Sequence, residues 1–298
     1  MKFGIVCDSA CDLTAEEIHG CRVAEVPFYV SLDGNSYLKE NVEITATQLY
    51  AHMRDNPDCY PKTSMPTIPD FGEAFAKVLD QGLDVLCITL TEKFSGSYQA
   101  ALNAKQMMEA EDPSRHIHVL DSQLVTALEG LLVTEAVRLR DMDCSLDEAV
   151  TRLEEVRGTG HILFTTRDLQ YLHHGGRLGS AQYVAGSMLD IKPVLHFHRG
   201  DLEVAGVCRG QKRSLRKLVD SAIDQIQKEK LDVSEYLFGT GRGTDFDGYD
   251  EFVELLKSKM DAAGLRPAGW VNIRIGATIG VHTGPYPVGL GFLRRCRD

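Results

Sequence analysis

The sequence predicts an α/β fold in two units, 1–158 and 159–298. The first reads as a mostly parallel sheet flanked by helices, the second as a mixed α/β layer. Two observations carry this. Through the first half, short apolar runs alternate with segments of helical period, the pattern of strands joined by helical crossovers. After Gly158-Thr159-Gly160 the pattern changes, and two apolar runs are joined directly by Arg199-Gly200-Asp201, a hairpin signal. The chain has 298 residues, 43% hydrophobic and 25% charged, enough to build two ordinary cores.

The elements follow in order. Phe3 to Cys7 is the first strand, and a short helix starts at Thr14. Val23 to Val30 reads as a strand before the turn Asp33-Gly34-Asn35, and Thr45 to Arg54 as a helix. Thr67 with Pro69 and Asp70 is a capped start for a helix running to Leu79. Asp84 to Leu90 is a buried strand, Ser97 to Glu111 a helix and His116 to Leu120 a strand. Val125 to Arg140 and Leu146 to Arg157 are helices, the second opened by Ser145 with Glu148 three residues on. In the second half, His161 to Thr165, Ile191 to His198, Leu202 to Val207 and Glu235 to Gly239 read as strands. Asp168 to His173 is a helical turn closed by Gly175-Gly176, and Leu215 to Lys228 and Tyr249 to Ala263 are helices. Trp270 to Val281 alternates like a strand with a turn at Gly280 to Pro285, and Gly289 to Leu293 is the last strand.

A formal net charge of -11, from 43 acidic and 32 basic residues, argues against nucleic acid as a partner. No run approaches the ~20 apolar residues of a membrane span, so a membrane contact would be transient and at the surface. The eight cysteines lack paired CxxC spacing and read as reduced thiols in a cytoplasmic protein with no metal site.

Four clusters stand out as site candidates. Ser95-Gly96-Ser97-Tyr98 sits between a buried strand and a helix, where unpaired backbone N–H groups and a partial positive charge gather. Those residues suit a helix cap and also an anion site. Thr63 and Ser64 lead into the next capped helix with the same two readings. Arg177 follows Gly175-Gly176, placed either to grip a carboxylate or phosphate or to end a helix in solvent. His282 and Thr283 stand at the end of the late apolar run. Common catalytic motifs fail on spacing. Asp8 has Ala10, not a second Asp, two residues on, and Ser95 is not in a GxSxG elbow. Gly239-Thr240-Gly241-Arg242-Gly243-Thr244 resembles a phosphate loop without its lysine and reads as a flexible turn.

Taken together, these clusters resemble the DegV family, the fatty-acid-binding subunits of bacterial fatty acid kinase. Asp8-Ser9-Ala10-Cys11-Asp12-Leu13 is similar to "DSTCDL", Thr63-Ser64-Met65-Pro66-Thr67 to "TSQPS", and Phe94-Ser95-Gly96-Ser97-Tyr98-Gln99 to "LSGTYQ". Leu172 to Leu178 is similar to "LKKGGRI", Ile191 to Leu195 to "IKPIL", and Gly276 to Pro285 to "GAVIGTHTGP". The ordered set spans essentially the whole chain. The resemblance implies a DegV-like fold of two domains with a long-chain fatty acid between them and the acyl tail in the second. It implies that Thr63, Ser64, Ser95 and Gly96 hold the carboxylate, with Arg177, His282 and Thr283 in a polar network at the mouth. It implies no cofactor, no catalytic residue in this chain, and a separate ATP-dependent kinase protein that phosphorylates the bound acid. Met65 stands where the family has Gln, and Tyr286-Pro287 where it has small residues. The alternatives are a lipid carrier or sensor that meets no kinase, and a small-molecule enzyme using Ser95.

Overall fold

The structure, a computed structural model, describes residues 2–167, 169–179, 191–245 and 248–297. Asp168, where the sequence starts a helical turn, lies outside them. The first half runs β1 (Phe3–Asp8), α1 (Ala15–Gly20), β2 (Val23–Val26), β3 (Tyr29–Ser31), β4 (Leu38–Lys39), α2 (Ala46–Asp55) and β5 (Lys62–Ser64). It continues with α3 (Ile68–Leu79), β6 (Asp84–Thr89), α4 (Ser97–Glu111), β7 (Ile117–Asp121), α5 (Thr126–Asp141) and α6 (Leu146–Arg157). The second half runs β8 (His161–Thr165), α7 (Gln170–His174), β9 (Ile191–His198), β10 (Asp201–Arg209), α8 (Gln211–Glu229) and β11 (Tyr236–Arg242). It ends with α9 (Tyr249–Ala262), β12 (Gly269–Arg274), α10 (Ala277–Thr283) and β13 (Val288–Arg294).

The first sheet, β2-β1-β6-β7, is parallel throughout. Every residue of β1 is buried, and its alternate side chains serve two cores. Phe3, Ile5 and Cys7 join the cluster made with α5 and α6, while Val6 joins the cluster under α3 and α4. A Cβ on Gly4 would lie 2.5 Å from a Val78 methyl, so the missing side chain lets α3 pack close. The second sheet, β10-β9-β8-β13-β11-β12, is mixed. β13, the latest strand described, lies inside it and runs antiparallel to β8 and β11. Phe238 and Phe292 on one face pack with α8 and α9. Helix α5 touches both sheets, and its apolar cluster continues into the second through Phe197, Leu202 and Leu293.

Local signals hold where partners lie close in sequence. Thr14, Thr45, Thr67 and Ser145 each close a capping box with the residue three on. The hairpin β9–β10 turns on Arg199 (φ 50) and Gly200 (φ 77), both left-handed. Three readings are corrected. The run from Val23 breaks at Pro27, and β3 pairs with β4 and β5 in a small separate sheet. Gly239 to Arg242 is not a turn but part of β11, paired on both sides. The apolar run from Trp270 stops being a strand at Arg274, and Ala277–Thr283 is the helix α10. Its start is held by Glu40, whose carboxylate accepts from the Thr278 N–H at 2.9 Å and its hydroxyl at 2.5 Å.

Candidate functional site

A cavity of about 320 Å³ is walled by residues of both halves of the chain. Its walls are largely apolar, with Phe28, Val125, Ile162, Phe164, Phe197 and Leu202 among them. All seven residues singled out from the sequence, Thr63, Ser64, Ser95, Gly96, Arg177, His282 and Thr283, reach this one cavity. Five of the elements that carry or precede them are β5, β6, α4, α7 and α10, so the fold brings together residues 220 positions apart.

The corner at Ser95 is built from below. Asp8, at the end of β1, accepts from the Ser97 hydroxyl at 2.7 Å and from the Leu90 N–H at 3.1 Å. Burial raises the Asp8 carboxyl to about 6, against the pull of these donors. Gly96, not a serine, takes the N-cap position of α4, with no side-chain cap. Ser95 instead accepts the Ser97 N–H at 3.2 Å, which leaves its hydroxyl hydrogen available to donate. A Cβ on Gly96 would lie 2.6 Å from the Met65 sulfur, so the glycine seats Met65, itself 44% exposed, over the corner.

Thr63 lies in β5, not in a helix lead-in, and its hydroxyl is 2.9 Å from Nε2 of His282 on α10. Burial, with the nearby Arg177 charge, lowers His282 to about 4, so the ring is neutral near pH 7. Its Nδ1 is buried without a hydrogen-bond partner among the described residues. When Nε2–H donates to Thr63, the Thr63 hydroxyl hydrogen is left to donate onward. Arg177 is neither a solvated end nor adrift. Its Nε donates to the Phe94 carbonyl at 2.9 Å and its Nη1 to the Gly175 carbonyl at 2.6 Å. It thereby ties the loop after α7 to the residue before Ser95. Thr283 lines the cavity, but its hydroxyl donates to the Ile279 carbonyl at 3.0 Å. Ser64 is exposed beside Met65 at the rim.

Thr126 and Thr278 also reach the wall, but their hydroxyls donate to the buried carboxyls of Asp12 and Glu40. The remaining polar groups therefore gather around Thr63, Ser95, Arg177 and His282. Such a cavity, apolar along its length with donors collected at one end, suits an amphiphile with one acidic group. The sequence reading missed Gly239, Gly241, Gly289 and Gly291, which also line it. The signal was present as glycine at alternate positions of two apolar runs. Among the described residues no group of His, Cys, Asp and Glu could hold a metal ion, and no helix is long and apolar enough to cross a membrane.

The fold and cavity together define an α/β protein with a largely apolar cavity between elements of its two halves. The chain belongs to the DegV family, whose model, described as "Uncharacterised protein, DegV family", matches residues 2–295. A DegV domain-containing protein of Caldanaerobacter subterraneus is 31% identical, the match covering 98% of each chain. Among solved structures, a stearic-acid-binding protein from Eubacterium ventriosum is 34% identical with a TM-score of 0.91 over 98% of both chains. A DegV family protein from Thermus thermophilus, described for its fatty acid binding, is 29% identical with a TM-score of 0.85, covering 99% of this chain and 100% of that one.

Proposed function

We propose that this protein binds one long-chain fatty acid in the cavity and presents its carboxylate to a separate ATP-dependent kinase, which forms the acyl phosphate. The observation that carries the binding is the division of the cavity into apolar walls and a single group of donors. The stearic-acid-binding relative supports it at 34% identity. In this reading Thr63 and Ser95 donate to the carboxylate, with Ser64 and Gly96 beside them. Arg177 and His282 complete the polar end, and Thr283 shapes the wall. The acid lies between the units 1–158 and 159–298, with its tail against the second sheet.

The roles divide by energy. Each buried methylene contributes about 0.8 kcal/mol, so the tail sets affinity. The carboxylate loses its water on entry, and its hydrogen bonds chiefly offset that loss. The head group therefore sets orientation, which phosphoryl transfer requires. Among the described residues Ser95 makes no hydrogen bond to a basic side chain, and its hydroxyl oxygen accepts the Ser97 N–H. This favours a carrier over an enzyme using Ser95 as nucleophile.

The test is organic extraction of the purified, denatured protein followed by mass spectrometry, then incubation of the loaded protein with ATP and a fatty acid kinase. About one fatty acid per chain, converted to acyl phosphate only with the kinase present, is expected. A loaded protein that no kinase phosphorylates would leave a carrier or sensor. An empty protein that takes up no added fatty acid would refute the lipid reading.

A further inference from the structure

The four cavity glycines on β11 and β13 form a square. Gly239 pairs with Gly291 and Gly241 with Gly289 across β11 and β13. Alternation puts all four on the face turned away from α8 and α9. Glycine inside a strand weakens it, and marks a bulge or a close approach by backbone or ligand. The β11–β13 and β11–β12 registers run without a bulge.

Three of the four are explained by the protein's own packing. A Cβ on Gly289 would lie 2.8 Å from Phe164 Cβ and 2.9 Å from the Leu163 carbonyl. One on Gly291 would lie 3.0 Å from a Leu128 methyl, and one on Gly239 3.2 Å from a Val271 methyl. Gly241 differs. Its φ is outside the left-handed region, and the nearest atom to its Cβ would be Ile275 Cγ1 at 3.7 Å, an ordinary contact. Among the described residues neither backbone conformation nor packing asks for glycine there, yet the position faces the cavity.

The geometry points to Gly241 as a chain-length determinant: the hydrocarbon tail crosses β11 over this residue, and a side chain there would stop it. This rests on the fatty-acid reading above. Ile275, the neighbour of Gly241, precedes α10, and His282 at the polar end lies near that helix's far end. At about 1.5 Å per residue the helix from Ala277 to His282 spans ~8 Å, with Ile275 two residues before its start. A short acid anchored at His282 ends near Gly241, and a long one passes it.

The experiment compares delipidated parent, Gly241→Ala and Gly241→Leu, titrated calorimetrically with octanoate, laurate, palmitate and stearate. Thermal midpoints are measured on the empty proteins. Gly241→Ala should melt no lower than the parent, because the added methyl meets no clash and restricts the unfolded chain. Gly241→Leu should lose about tenfold or more in affinity for palmitate and stearate, an overpacking effect, with octanoate unchanged. The alanine variant should show the same trend more weakly and secures the result if leucine disturbs folding. Variants with the parent's chain-length profile, or with equal loss for all four acids, would overturn the assignment of Gly241 while leaving the fatty-acid reading intact. A parent that binds none of the four acids would instead refute the fatty-acid reading itself.

Discussion

Thr63→Val isolates the role of the head group. Valine keeps the shape of threonine and replaces its hydroxyl with a methyl. His282 Nε2 then loses its 2.9 Å partner, and a bound carboxylate loses one donor. A hydrogen bond to a charged group is worth about 1.5–3 kcal/mol, so the acid should bind ~10- to 150-fold more weakly. The tail contacts stay as they were. Stearyl alcohol, with the same tail and no charge, should lose far less. The assay is isothermal titration of the delipidated parent and variant with stearate and stearyl alcohol at pH 7. The quantity read is the ratio of the two Kd values. Equal weakening of acid and alcohol, or no weakening of either, would show that Thr63 shapes the wall without addressing the carboxylate.

The buried acids give two further expectations. Burial, with the charges of Glu40 and Asp8, holds the Glu25 carboxyl at about 7 instead of its ordinary 4.5, despite a hydrogen bond from Asn41. Between those values the folded chain keeps a proton that the unfolded chain has lost, so stability falls as pH rises through the window. Glu25→Gln should remove that loss and gain up to about 3 kcal/mol on the parent between pH 4 and pH 8. Urea midpoints at the two pH values check this, and a gain independent of pH would count against it. Glu40→Ala deletes the acceptor of the Ser9 hydroxyl and of the Thr278 N–H and hydroxyl. It should destabilise the protein by about 3–5 kcal/mol in denaturant unfolding. A loss below about 1 kcal/mol would mean that α10 does not depend on this carboxylate.

What the sequence made legible follows the distance over which each signal acts. The alternation of strands and helices, the capped helix starts at Thr67 and Ser145 and the Arg199-Gly200 turn are set by near neighbours, and each is found in the structure. Helix α10 was hidden because its first N–H partner, Glu40, is 238 positions away. Gly239 to Arg242 was hidden because glycine reads as a breaker until its two partner strands are known. In the site, each residue type was visible and none of the contacts was. Nothing near Arg177 in sequence announces the Phe94 carbonyl, and nothing near Thr63 announces His282. The hydroxyl expected to cap α4 from its own sequence turned out to serve a turn at Ser95, while Gly96 holds the cap position.

The placement of β13 has a consequence for assembly. Synthesised after every other described strand, it fills the gap between β8 and β11 and supplies two of the cavity glycines. As the chain emerges from N- to C-terminus, the first parallel sheet can form early. The second sheet stays split into β8–β9–β10 and β11–β12 until Val288 to Arg294 arrives. Its closure joins segments more than a hundred residues apart, a late and entropically slow step. A nascent chain without β13 therefore has no enclosed cavity, and on the proposed reading a fatty acid is taken up only after this strand has paired.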